Sequence, residues 1–144
     1  MKRLEAAILK AHAADDRRAL ARLEGMGATV LVPADDRYPA AFRSLPDRPR
    51  VLFAAGKLDV LSRPAVAVVG TRSPTPYGRE CASMLSHDLA AAGFNVVSGM
   101  ARGIDTAVHQ GALRARGKTT GVLGHGIDQI YPPENRTLFS RVIS

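Results

Sequence analysis

Residues 65–70 read AVAVVG, residues 95–99 read NVVSG and residues 120–124 read TGVLG. Each is a short apolar run closed by glycine, and each is followed by a helix-like segment. Strands that alternate with helices of about 10–15 residues predict βαβ units and a parallel sheet, with right-handed crossovers. In such a sheet the C-terminal strand ends lie along one rim, where open α/β sheets take their ligands. Beyond the three glycines stand Thr71, Arg72 and Ser73, then Ala101, Arg102 and Gly103, then His125 and Gly126. A rim of small, polar and cationic residues suits an anion such as phosphate.

Outward from these strands, a helix is predicted over 77–92, with Met84, Leu85 and Leu89 for the sheet face and Gly93 as its stop. A second runs over 103–115 to Gly117, and a third over 134–143, opened by Pro132 and Pro133. Upstream, residues 4–26 read as helix: Leu4, Ile8 and Leu9 recur on one face, then Leu20, Leu23 and Met26. Asp15 or Asp16 is placed to cap a second helix there, and Gly25 and Gly27 end it. A strand over 29–32, a proline-rich loop over 35–49 and a strand over 51–54 follow. The change of pattern at 62–64 divides the chain into residues 1–62 and 63–144. Three parallel strands and a trailing helix make a thin half-sheet with one edge open, so the chain is expected to be a fragment of a longer protein.

The 144 residues suffice for one ordinary domain or one and a half small ones. Aromatics are only 5% and tryptophan is absent, so the core must be built from Ala, Val, Leu and Ile. A formal charge of +7 favours polyanion partners, nucleic acid first, then nucleotides or a membrane surface. Arginine-rich composition from a GC-rich genome accounts for the same charge equally well. Cys81 is the one cysteine, which excludes an intrachain disulfide and reads as a packing residue. No apolar run reaches the roughly 18 residues of a membrane helix. The N-terminal apolar stretch is broken by Glu5, Lys10 and His12, unlike a signal peptide. The expected location is the cytoplasm, with no membrane partner.

At the first strand end, Gly70 lets the backbone turn, Thr71 and Ser73 offer hydroxyls and amides, and Arg72 offers a fork of N–H groups matched to phosphate oxygens. The sequence TRSPTPYG is not the G-x-G-x-x-G dinucleotide fingerprint. The second strand ends Val97, Ser98, Gly99 with no carboxylate for ribose hydroxyls, which argues against NAD; no cofactor is expected. In SGMARGID, Ser98, Gly99 and Gly103 bracket Arg102. Asp105 and His109, four apart, share a helix face. A helix-start carboxylate and a hydrogen-bonded imidazole are the expected reading, ahead of an acid–base pair or a metal site, since two ligands without a third make weak metal evidence. At the third end, Gly124 and Gly126 flank His125, and Asn135 and Arg136 fall at a helix N-terminus that attracts anions. Asn135 as a plain helix cap and Arg136 as a solvated residue stand beside that reading. No Walker lysine, Cys-x-x-Cys or Gly-x-Ser-x-Gly element occurs, so no catalytic or metal residues are assigned.

VAVVGTRSPTPYG, SGMARGIDTAVHQGAL and VLGHGIDQIYPPEN, in this order and spacing, closely resemble the DNA-processing protein A family (DprA, also called Smf). The upstream stretch DDRYPAAFRSLPDRPRVLFAAGKL looks like the segment that precedes the family's Rossmann-like domain. The resemblance covers residues 29–139. It implies an α/β fold: the first half of a Rossmann-like parallel sheet, truncated at its C-terminal side, over 63–144, preceded over 1–62 by a small helical SAM-like remnant and a connecting segment. It implies a single-stranded DNA-binding protein of bacterial transformation and recombination that protects incoming strands and helps load the recombinase RecA. The family's glycine–Ser/Thr–arginine turn falls on Gly70, Thr71 and Arg72, and its serine–glycine segment on Ser98 and Gly99, with Arg102 nearby. A further basic contact falls on Arg136 or Arg141. The family's Rossmann-like domain continues well past the position of Ser144, and that continuation contributes to the homodimer contact of the full-length protein. A winged-helix domain found in many members has no counterpart here.

Two further readings stand against a DNA-binding module. One is a nucleotide-processing enzyme related to the lysine-decarboxylase-like phosphoribohydrolases, whose P-G-G-x-G-T-x-x-E motif is missing from this chain. The other is a purely structural fragment. Within the binding reading, Gly70, Thr71, Arg72, Ser73, Ser98, Gly99, Arg102, Gly103, Gly124, His125, Asn135 and Arg136 form the expected phosphate-facing set. Tyr77, Tyr131 and Phe139 are the aromatics available for stacking.

Overall fold

The structure, a computed structural model, describes residues 15–25 and 27–144. The predicted helical positions Leu4, Ile8, Leu9 and Met26 lie outside the described residues. The chain divides between Ala55 and Gly56 into two compact units.

The first unit contains helix α1 (Asp15–Gly25), strand β1 (Ala28–Leu31), a short helix α2 (Ala40–Arg43) and strand β2 (Leu52–Ala55). β1 and β2 pair antiparallel, from Ala28 opposite Ala55 to Leu31 opposite Leu52. The segment between them is a loop interrupted by α2. Prolines 33, 39, 46 and 49 remove backbone donors there, so side chains fix its course. Tyr38 is buried, and its hydroxyl donates to the Pro49 carbonyl at 2.7 Å. Arg43 donates to the carbonyls of Pro33 and Asp35, each at 2.6 Å.

The second unit opens with a 3-10 turn (Leu58–Ser62) and runs β3 (Ala65–Ala67), α3 (Pro76–Ala91), β4 (Asn95–Ser98), α4 (Ile104–Arg114), β5 (Lys118–Gly121), a 3-10 turn (Pro133–Asn135) and α5 (Arg136–Ile143). The three strands form one parallel sheet in the order β3-β4-β5. Ala65 to Ala67 lie opposite Asn95 to Val97, and Asn95 to Ser98 lie opposite Lys118 to Gly121. The strand–turn–helix alternation therefore yields the parallel sheet it predicts. The third strand starts two residues earlier than its apolar pattern indicates. Its Thr119 side chain is buried, and the Thr119 hydroxyl donates to the Val96 carbonyl at 2.7 Å, so a polar residue belongs to the interior.

The core is small-residue and aliphatic. Val96, Val108, Ala112, Ala107, Ala90, Ala82 and Ile104 form one buried cluster, with Val68, Leu89 and Ala115 packed on it. Thr75 caps α3, accepting from the Gly78 amide at 3.1 Å, and Pro76 begins the helix. The inner face of α3 is Ala82, Ser83, Ser86 and Ala90. Met84 and Leu85, expected on the sheet face, are instead exposed, as is Cys81, expected as a packing residue; Leu89 alone of the predicted set reaches the core. The reason is the approach of α4. A Cβ on Gly111 would overlap the Ser83 carbonyl oxygen, so the helices touch backbone to backbone and leave room for only small side chains between them.

Candidate functional site

Because β3, β4 and β5 are parallel, the loops after Ala67, Ser98 and Gly121 emerge on the same side of the sheet. Hydrogen bonds join them. The Ile104 amide at the start of α4 donates to the Thr71 carbonyl at 3.1 Å, which ties the second loop to the first. Gly103 has φ of +81°, and a Cβ there would overlap the Thr71 carbonyl oxygen and lie 2.7 Å from the Arg72 carbonyl carbon. Only glycine tolerates both the conformation and the approach. Arg72 and Arg102 are therefore brought to neighbouring loops.

The second loop is tied to the third. Asn135 is 4% exposed, and its side-chain amide donates to the Met100 carbonyl and to the Thr106 hydroxyl, each at 3.0 Å. Thr106 in turn donates to the Ala101 carbonyl at 2.8 Å, and Asp105 accepts from the Ala101 amide at 3.3 Å. Arg102 crosses the gap. Its Nε and Nη2 donate to Oε1 and Oε2 of Glu134 at 2.5 and 3.2 Å, and its Nη1 donates to the Tyr131 hydroxyl at 3.3 Å. The guanidinium lies 5.5 Å from the Tyr131 ring centre, and that ring meets His125 edge-on at 6.4 Å. Hydrogen bonding to Arg102 holds the Glu134 carboxyl below the usual carboxylate range.

The predicted residues fall into four groups. Gly70, Thr71, Arg72, Ser73, Gly99, Gly124 and Arg136 are exposed along the rim; Arg102 is exposed but paired; Gly103 and His125 are partly buried beside it. Thr71 organises its own turn, its hydroxyl accepting from the Ser73 amide at 3.2 Å. Among the described residues, the guanidiniums of Arg72 and Arg136 make no hydrogen bond or ion pair, which leaves both open to an anion. Arg136 begins α5 next to Asn135, whereas Arg141 stands in the last turn of that helix. Ser98 and Asn135 depart from expectation. Both side chains are buried, Ser98 at 2% exposure, and the Asn135 amide is committed to Met100 and Thr106. Ser98 stands two residues after Val96 in β4 and so shares its buried face, and Asn135 serves as a cross-link of the rim.

Asp105 and His109 share a helix face but make no pair with each other on the rim. Both are buried, and His109 Nδ1 lies 2.7 Å from the Thr119 hydroxyl. Burial pushes the His109 imidazole down to about 4, against the opposing pull of Asp105. This is the hydrogen-bonded imidazole of the sequence reading. No group of three or more His, Cys, Asp or Glu that could hold a metal occurs among the described residues. Sequence reasoning missed Glu134, Thr106 and Thr119. Nothing in the local pattern marks them, because their partners lie 32, 29 and 23 residues away in the chain.

Residues 29–144 match the model of the family described as DNA recombination-mediator protein A. The chain is similar to protein Smf of Synechocystis sp., 43% identical over 116 residues that make up 78% of this chain and 29% of that protein. Among solved structures it is similar to DprA of Streptococcus pneumoniae, with a TM-score of 0.76 and 37% identity over 87% of this chain and 44% of that one. It is also similar to DprA of Helicobacter pylori, with a TM-score of 0.71 and 32% identity over 81% of this chain and 52% of that one. The Helicobacter structure is described for its single-stranded DNA binding mode. The chain thus spans from under a third to about half the length of these relatives.

Proposed function

This chain belongs to the DNA recombination-mediator protein A family, and we propose that its rim binds the sugar–phosphate backbone of single-stranded DNA. The observation that carries the proposal is the gathering of three strand-end loops, by hydrogen bonds, around an uncommitted Arg72. Exposed glycines at 70 and 99 let a phosphate approach closely, and Arg72 supplies a charge-assisted fork. Arg136 extends the positive edge. Contacts to phosphate carry no base information, so binding is expected to show little sequence preference. Tyr131, 51% exposed beside Arg102, is the aromatic placed to stack on a base.

The proposed activity is binding and not catalysis. Among the described residues the Asp105–His109 combination is buried, and its imidazole is engaged with Thr119, which keeps it from a ligand. Incubation with nucleoside monophosphates is expected to release no free base; turnover would favour the phosphoribohydrolase reading. In the longer family proteins, the same reading extends to protection of incoming strands in transformation, loading of RecA and homodimer formation. The proposed location is the cytoplasm; among the described residues no helix is long and apolar enough to cross a membrane.

The direct test is fluorescence anisotropy with a labelled oligothymidylate. Arg72→Ala is expected to weaken binding roughly tenfold or more, the worth of a hydrogen bond to a charged group. The slope of log K against log salt should become shallower by about 0.7, since one phosphate fewer is neutralised. Wild-type affinity and slope in Arg72→Ala would refute the rim as the DNA site.

A further inference from the structure

The geometry points to Glu134 as a built-in stand-in for phosphate: it occupies the Arg102 guanidinium until a phosphodiester chain displaces it, and so makes the rim select a chain of phosphates over a single one. This rests on the rim being the DNA site.

Three features support it. First, the Glu134 carboxylate engages the same two donors, Nε and Nη2, that form the guanidinium's fork. A phosphate presents a comparable pair of oxygens to such a fork, so the two anions compete for one place. Second, the backbone that carries Glu134 is anchored opposite Arg102. It sits in the 3-10 turn Pro133–Asn135, which the buried Asn135 amide anchors to the Met100 carbonyl, two residues before Arg102. Third, the pair is open to water, with side-chain exposures of 49% for Arg102 and 55% for Glu134. Solvent-exposed ion pairs are weak and exchangeable. Among the described residues Arg72, one loop away, has no such counter-ion.

A single phosphate arriving at Arg102 must break the bonds to Glu134 and then remain beside a repelled carboxylate. The exchange gives it little. A strand already held at Arg72 presents its further phosphates at an effective concentration on the order of millimolar, and one of them can take the guanidinium. Tyr131 keeps the guanidinium over its ring through the exchange, so the fork stays aimed at the rim. Glu134 therefore lowers affinity for every anion but penalises isolated ones most.

The test uses the same oligothymidylate, with inorganic phosphate as competitor. Glu134→Gln is expected to tighten oligonucleotide binding about two- to fivefold, the range of an exposed pair. The salt slope should stay as in the wild type, because Arg102 meets a phosphate in both proteins, while millimolar inorganic phosphate should compete more strongly than it does against the wild type. Adding Arg102→Ala should erase both the tightening and the added sensitivity to phosphate. Glu134→Asp, which keeps the charge but withdraws it by one methylene, should move affinity in the same direction by a smaller amount. Affinity equal to or weaker than wild type in both Glu134 variants would overturn the proposal and leave the pair as a tie between loops. If Arg72→Ala loses binding in the same experiment, the rim itself still stands; if Arg72→Ala binds like wild type, both fall.

Discussion

Gly103 is the residue on which the geometry of the rim turns. Its φ of +81° is disfavoured for any residue with a Cβ, at roughly 1–2 kcal/mol, and the Thr71 carbonyl against it is backbone that cannot step aside. Gly103→Ala is expected to push the Thr71–Arg72 turn away from α4 and to weaken oligothymidylate binding as much as Arg72→Ala does. Far-UV circular dichroism should show the sheet and helices retained, which separates loop displacement from unfolding. That Arg72 and Gly103 stand in turns after strand ends was legible in the sequence, because a strand that ends in glycine announces the turn after it. The roles of Ser98 and Asn135 were not. Whether a serine or asparagine near a strand end faces a ligand or the interior depends on which strand face is buried and on partners such as Met100, which only the folded chain supplies.

At the scale of elements, the joint between α3 and α4 decides how much of each helix is buried. Gly111 meets the Ser83 carbonyl oxygen with no room for a methyl group. Gly111→Ala is expected to force the helices apart and to destabilise the second unit by about 1–3 kcal/mol, seen as a lower urea midpoint with little change in the slope. Helix existence and approximate length were legible from apolar spacing. The buried face was not. Met84 and Leu85 fit a helical stripe as well as Ala82, Ser83, Ser86 and Ala90 do, and hydrophobicity favours the larger pair. What selects the small residues is how closely the neighbouring helix approaches, a tertiary fact. The third strand illustrates the same limit: Thr119 enters the interior because Val96 and His109 accept or share its hydroxyl hydrogen bonds.

For the molecule as a whole, the buried imidazole of His109 sets a pH dependence. Its folded value is about 4 against an ordinary 6.5, because burial disfavours the cation. Between those values the unfolded chain binds the proton and the folded chain does not, so stability is complete above 6.5 and declines as the pH falls towards 4. The loss attributable to this group is at most about 3 kcal/mol. Urea titrations across that window should show the midpoint falling with acidity, while NMR of the ring should show His109 still neutral well below its ordinary 6.5. A His109 ring that titrates near 6.5 would remove the cause. The overall architecture was the most legible level, since three repetitions of strand, turn and helix admit few arrangements. The basic character of the chain pointed to a polyanion, but it did not reveal that one of the two foremost arginines already has an anion of its own.

β3 has a neighbour on one side only among the described residues, and its two outermost residues, Ala65 and Ala67, are small, uncharged and exposed. A strand side without a backbone partner is the template on which another strand is laid, and Ala65 and Ala67 put no bulk or charge in its way.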